Sequence, residues 1–260
     1  MIKMQEHTQE KIGFVFINGA GLESRIWSKV VEGLDHPCLL VEFPLRKSSV
    51  DSRSELSLED YVVHMKKQVD EWRTQRFVIV AHSLGGVLAL RLASELNHRL
   101  AGFIAVGAAI PKNGGSFVSA LPFPKRILMS AILRKLGTKP PESAIRTGLC
   151  NDLSEDQTME VVKGFIPEAV RIYTDRIDVS IPFVPKLYVK LTKDKEFGPS
   201  LQRKMISNLS PQSVQSLETG HLPMISNPEG LKHVLLTFLN SLRNTTINTR
   251  GVGMYKHACD

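Results

Sequence analysis

Ser83 stands in Phe77-Val-Ile-Val-Ala-His-Ser-Leu-Gly-Gly86, the segment of this chain best suited to carry chemistry. A β-branched and aromatic run leads into the serine, and a helix from Leu84 to Leu96 leads out. So sharp a strand-to-helix turn strains the serine backbone and presents its hydroxyl. Residues two positions away on either side must then be small, as Ala81 and Gly85 are. The bland alternative is a serine that merely caps the helix. A hydroxyl is a poor nucleophile until a base takes its proton. The downstream histidines are His98, His221, His233 and His257. His98 ends the helix after Ser83, His233 falls inside the last helix, and His257 lies in the terminal tail. His221 falls in a loop, Thr219-Gly-His-Leu-Pro223, at the carboxyl end of the sheet where Ser83 also lies. An acid must hold the imidazole in the right tautomer. Asp194 follows the strand before that loop. Glu196 is the fallback, and Asp178 lies before the strand, on the wrong side.

An acyl-transfer site also needs two backbone N–H groups aimed at the developing oxyanion. Leu84, next after the serine, supplies one. Ala20, in the loop Asn18-Gly-Ala-Gly21 after the first strand, supplies the other. These glycines could instead cradle a phosphate, but their spacing fits neither GxGxxG nor the P-loop pattern.

The elements that must position these residues alternate along the chain. Strands are predicted at Ile12–Ile17, Cys38–Phe43, Phe77–Ala81, Ala101–Val106, Lys186–Leu191 and Ser213–Leu217. Helical spacing covers Leu22–Leu34. Ser57-Leu-Glu-Asp60 resembles a capping box and opens a helix to about Trp72. Further helices are expected after Ser154, Pro167 and Pro199. Asn227-Pro228 opens the last one, to about Leu242. Alternation of this kind predicts an α/β fold with a parallel sheet and right-handed crossovers. It breaks over residues 111–181, where only helical patterns occur. That stretch is too long for a connection and is read as a lid. The organisation expected is a core from 1–110 and 182–243, a helical lid at 111–181, and a polar, disordered tail at 244–260.

Composition narrows the function classes. The 260 residues are 42% hydrophobic and 23% charged, with a formal net charge of +7. No apolar run reaches the roughly 20 residues of a membrane span, and Met1 to Lys11 lacks the apolar core of a secretory signal. A cytoplasmic protein is the expectation. Cys38, Cys150 and Cys259 are too scattered for a zinc site or disulfide framework. From Pro111 to Cys150 the chain carries Lys112, Lys125, Arg126, Arg134, Lys135, Lys139 and Arg146 against Glu142 alone. No nucleic-acid motif accompanies this run, so a solvated face is preferred to a nucleic-acid site; anionic substrates or surfaces are the weaker option.

With these residues placed, the chain resembles the α/β-hydrolase superfamily over most of residues 12 to 242. It is most similar to the subgroup of plant methylesterases, hydroxynitrile lyases and their bacterial esterase relatives. The resemblance rests on Asn18-Gly-Ala-Gly-Leu-Glu-Ser-Arg-Ile-Trp27 and the Ala81-His-Ser-Leu-Gly-Gly86 elbow. It extends to Cys150-Asn-Asp-Leu-Ser-Glu-Asp156 with Ile166-Pro-Glu168, to Leu191-Thr-Lys-Asp194 with Gln202, and to Gly220-His-Leu-Pro-Met-Ile-Ser-Asn-Pro228. It implies a mostly parallel twisted sheet flanked by helices, with a helical lid inserted between strands. The superfamily's chain order, serine then acid then histidine, matches Ser83, Asp194 and His221. The chain departs from the pattern at Asn18, where the superfamily usually has histidine. It also has Leu222 and Gly19 where the hydroxynitrile lyases carry lysine and threonine, which favours ester hydrolysis over cyanohydrin cleavage.

The expected activity is cleavage of a small carboxylic ester through an acyl-enzyme, without metal or organic cofactor. A thioesterase, lactonase or C–C hydrolase would use the same triad. A hydroxynitrile lyase and a non-catalytic binding protein on this fold are the other rivals. A small-molecule ester is the expected partner, with no nucleic acid and no membrane span; a homodimer stays open.

Overall fold

The computed structural model describes residues 11–46, 50–96 and 98–253. Its strands are β1 (Gly13–Ile17), β2 (Cys38–Leu40), β3 (Phe77–His82), β4 (Leu100–Val106), β5 (Lys186–Leu191) and β6 (Ser213–Leu217). They form one sheet in the order β2-β1-β3-β4-β5-β6, and every neighbouring pair is parallel. Helices α1 (Ser28–Val31), α2 (Val50–Ser54), α3 (Leu58–Glu71) and α4 (Gly85–Glu95) accompany the first strands. Between β4 and β5 come α5 (Phe117–Ala120), α6 (Phe123–Leu136), α7 (Glu142–Ala144), α8 (Glu155–Lys163) and α9 (Arg171–Thr174). Then α10 (Pro199–Leu209) joins β5 to β6, and α11 (Pro223–Ser226) and α12 (Pro228–Gly253) follow β6.

β1, β3 and β4 are buried along their whole length. Helices cover both faces of such a sheet, so its strands read as unbroken apolar runs. Successive residues serve opposite faces. Val15, Ile17, Ile79 and Ala81 pack in one cluster with Tyr61 and Met65 of α3 and Leu88 of α4. Phe14, Phe16, Val78 and Val80 pack in the other, with Leu235 and Phe238 of α12. The expected helix starts are made by side chains. Ser57 and Asp60 form a reciprocal capping box, as do Ser154 and Gln157. Asn227 Oδ1 accepts the Gly230 N–H at 2.9 Å.

Several boundaries differ from the sequence reading. Leu22–Leu34 is a 3₁₀ turn at Ser24–Trp27 followed by the single turn of α1, and Gly33, at φ 76°, stops it. β2 ends at Leu40, opposite Phe16, rather than running on to Phe43. Pro167 does not start a helix. Ile166 is held extended by an antiparallel bridge to Gly21, and α9 begins only at Arg171. The last helix runs to Gly253 instead of ending near Leu242; residues 254–260 of the expected tail lie outside the described residues. Among the described residues no helix is long and apolar enough to cross a membrane.

The strand order locates the crevice. From β1 the chain moves outward to β2 and then returns to the other side of β1 with β3. The carboxyl ends of β1 and β3 therefore form a topological switch point, where α/β sheets open a crevice for a ligand.

Candidate active site

Ser83 occupies that crevice. It follows β3 directly and has φ 52°, a left-handed backbone rare for a residue with a side chain. The helix-cap alternative fails, because the N-cap of α4 is Leu84 and no side chain caps it. The turn survives because its surroundings are small. A Cβ on Gly85 would lie 2.4 Å from the Asn18 carbonyl oxygen, and one on Gly19 would lie 2.8 Å from the Ser83 Cβ. The backbone is pinned by Ser83 N–H to Val106 O (3.4 Å) and Ala109 N–H to Ser83 O (2.8 Å).

Three side chains that are far apart in sequence meet here. His221 Nε2 lies 2.9 Å from Ser83 Oγ, and His221 Nδ1 lies 2.8 Å from Asp194 Oδ2. A carboxylate only accepts, so Nδ1 carries the proton and Nε2 is the acceptor facing the serine hydroxyl. Asp194 Oδ1 accepts the backbone N–H groups of Glu196 (2.8 Å) and Phe197 (2.9 Å). Glu196, the fallback acid, thus braces Asp194 through its main chain. Burial alone would raise the Asp194 carboxyl, but His221 and these N–H donors outweigh it and hold the group below its usual range. Burial alone would lower His221; Asp194 outweighs it and pushes the imidazole above its ordinary value. His221 is fully buried, whereas Ser83 keeps 8% of its surface exposed. The imidazole and the carboxylate are thus sealed, while Ser83 retains some exposed surface.

The loops after β5 and β6 bring Asp194 and His221 together by continuing the sheet's pairing beyond the strands. Thr192 N–H reaches Leu217 O and Lys193 N–H reaches Thr219 O, both at 2.9 Å. Gln202 on α10 locks the acid loop: it accepts the Leu191 N–H at 2.9 Å and donates to Leu191 O and Phe197 O. From the inserted segment, Asn151 Nδ2 donates to Lys193 O and Asp152 Oδ2 accepts the Gly220 N–H.

Leu84 follows the serine directly, and Ala20 follows Gly19, which approaches the Ser83 side chain. Among the described residues neither the Ala20 nor the Leu84 N–H has an acceptor. The next N–H, that of Gly21, is taken by Glu168 Oε1 at 3.2 Å, so that loop offers Ala20.

Two features were not legible as parts of a site. The first is a buried ion pair between Arg46 and Glu168 at 2.7 Å. Glu168 also accepts from Tyr61 Oη at 2.9 Å, and Arg46 donates to Leu22 O at 2.8 Å. This cluster ties the first-strand loop to the inserted segment. A glutamate after Pro167 in an apolar stretch was its faint signal. The second is His82. Its Nε2–H donates to the His221 carbonyl oxygen at 2.8 Å, and its ring lies 4.8 Å from that of His221. Burial, reinforced by His221, pushes His82 down to about 3, so it stays neutral. Burial likewise raises the Cys38 and Cys150 thiols to about 11, which makes both poor nucleophiles. Among the described residues no group of three His, Cys, Asp or Glu side chains could hold a metal ion.

Residues 14–233 match the model of the alpha/beta hydrolase family. Over 246 residues the chain is 25% identical to Methylesterase 17 of Arabidopsis thaliana, spanning 83% of this chain and 87% of that protein. An extracellular alpha/beta-hydrolase from a Paenibacillus species, described as homologous to tobacco Salicylic Acid Binding Protein 2, superposes with a TM-score of 0.79. It shares 17% identity and covers 87% of this chain and 98% of its own. The methylesterase MES16 from Arabidopsis gives a TM-score of 0.71 at 20% identity, covering 88% and 99%. At these identities the structures show a common fold.

Proposed function

The chain belongs to the alpha/beta hydrolase family, and from that premise we propose that it hydrolyses small carboxylic esters with Ser83 as nucleophile, His221 as base and Asp194 as the residue that orients it. The observation that carries this reading is the unbroken relay from Asp194 Oδ2 through both ring nitrogens of His221 to Ser83 Oγ. The similarity to Methylesterase 17 supports an ester as the substrate.

In the first step Ser83 Oγ attacks the ester carbonyl carbon while His221 Nε2 takes the hydroxyl proton. The N–H groups of Ala20 and Leu84 receive the oxyanion. Collapse of the tetrahedral intermediate breaks the bond to the alkoxide oxygen, which leaves as alcohol with the proton from His221. Water then gives a proton to His221 and attacks the acyl carbon. The carboxylic acid departs and Ser83 regains its proton. Asp194 stays ionised throughout and stabilises the imidazolium. Neither metal nor organic cofactor enters.

Residues 111–181 act in this reading as a lid over the acyl pocket. The support is their hold on the first-strand loop through the Gly21–Ile166 bridge and Glu168. Rings of this segment also approach the triad: Tyr173 meets Phe117 at 5.5 Å, Phe117 meets Phe197 at 6.1 Å, and Phe197 meets His221 at 5.3 Å. Leu222, next to the base and fully buried, offers no charge to a departing cyanide. A cytoplasmic setting and a homodimer belong to the same proposal, tested by fractionation and sedimentation.

The deciding experiment is labelling by a fluorophosphonate probe, with native protein beside Ser83→Ala, followed by turnover of short p-nitrophenyl esters. Labelling of the native protein alone is expected. Equal labelling of both rules out Ser83 as nucleophile, and labelling of neither points to a non-catalytic binding protein.

A further inference from the structure

The basic run noted in the sequence folds into α6 and its neighbours, and none of the triad's work uses it. α6 buries one side through Leu133, with Met129 packed against the core. Its opposite side carries Phe123 (66% exposed), Ile127 (56%), Leu128 (61%) and Ile132 (36%). These are four of the eight large hydrophobic side chains exposed among the described residues. They spread over the outward half of the helix, with Arg134 between Phe123 and Ile127 and Lys135 between Ile127 and Leu128.

Beside that face lies a cleft of about 440 Å³ on which Arg126, Arg134 and Arg176 converge. Among the described residues none of the three pairs with a carboxylate; Arg126 lies over the Phe123 ring and Arg134 Nε reaches the Ser130 carbonyl. The cleft also holds Ser119, Ser130 and Thr174, but their hydroxyls donate to backbone carbonyls. The guanidinium groups are therefore the charged donors open to an anion. Lys125 and Lys135 add positive charge on the exposed side, and α6 contains no acidic residue.

We propose that α6 docks this protein on the surface of an anionic phospholipid bilayer. Phe123, Ile127, Leu128 and Ile132 enter the boundary between headgroups and acyl chains, while Arg126, Arg134, Arg176 and the lysines meet lipid phosphates. Exposed apolar side chains interleaved with cations suit the boundary between acyl chains and phosphates, and guanidinium matches phosphate geometry. A second copy of the chain fits the same surface poorly. An isologous contact would bring two surfaces of the same positive charge together. A nucleic acid would satisfy the charges but leave the apolar side chains in water.

The test is cosedimentation of the full chain with phosphatidylcholine vesicles, with and without phosphatidylglycerol. Binding to the anionic vesicles that weakens with salt is expected, with far less binding to phosphatidylcholine alone. Arg126→Ala, Arg134→Ala and Arg176→Ala should each weaken partition about fivefold, and Ile127→Ser with Leu128→Ser about tenfold or more. Circular dichroism must be unchanged in each variant. Ser83→Ala should bind as the native protein does, which separates this result from the fate of the hydrolase reading. Binding to neither vesicle, equal binding to both, or insensitivity to the Ile127 and Leu128 changes would overturn the proposal. So would a dimer that these two changes dissociate without affecting vesicle binding, or capture by single-stranded RNA that ignores them.

Discussion

The crevice around Ser83 and the exposed face of α6 are opposite solutions to placing polar and apolar groups. Around Ser83 the charged and polar side chains are buried, and fixed neighbours hold them: Asp194 by two main-chain N–H groups and His221, and Glu168 by Arg46, Tyr61 and Gly21. On α6 four large apolar side chains are exposed and the arginines lack carboxylate partners among the described residues. A buried group with fixed partners is preorganised, so chemistry costs it little reorganisation. An exposed apolar and cationic face is organised only by something that arrives. Substitutions should therefore act steeply in the crevice and weakly on α6 unless a bilayer is present.

The largest effect is expected at Ser83, the proposed nucleophile. Ser83→Ala should cut ester turnover by about 10⁴-fold or more and leave the melting transition almost unmoved; retained turnover would place the chemistry elsewhere. Next comes the relay. Asp194→Asn should lower kcat about 10⁴-fold, because the amide favours the wrong tautomer of His221. It should also shift the pH profile. His221 is raised by Asp194, so the native kcat/KM should climb with pH through a limb above the ordinary histidine value, as the imidazolium loses its proton. Without the carboxylate that limb moves to lower pH. His82, held near 3, contributes no second limb in this range, and two resolved limbs near neutrality would contradict the assignment.

A stability effect follows in size. Arg46→Met leaves Glu168 buried without its cation, and breaking such a pair costs about 3–5 kcal/mol. The fall in the urea midpoint measures it, and the Gly21 loop should loosen with it. The smallest effect is expected on α6. Leu128→Ser, at a 61% exposed position, should change stability by no more than about 0.5 kcal/mol. A larger loss would mean that this face is covered in solution.

The two regions also differ in what could be read from sequence. Ala81 and Gly85 around Ser83, the Ser57 and Ser154 capping boxes and the Asn227-Pro228 start are local rules, complete within a few residues. They carried over to the structure intact. Pro167 misled because its local helix-start signal lost to a long-range bridge between Ile166 and Gly21. Trp27 gave helical spacing to Leu22–Leu34, yet that span became a 3₁₀ turn that packs its ring 5.1 Å from Phe16.

By itself, then, the sequence determined the alternation of strands and helices, the strained serine between small neighbours, and the chain order of serine, acid and histidine. These depend on side-chain size, backbone preference and period, which a short window contains. Only the tertiary structure decided that Asp194 and not Glu196 faces His221, and that the Gly21 N–H is consumed while Ala20 is left open. It alone joined Arg46 to Glu168, and it buried Leu133 of α6 while leaving Phe123, Ile127, Leu128 and Ile132 exposed. Each of these is a choice among partners brought together by sheet order from distant parts of the chain, and no local pattern encodes it.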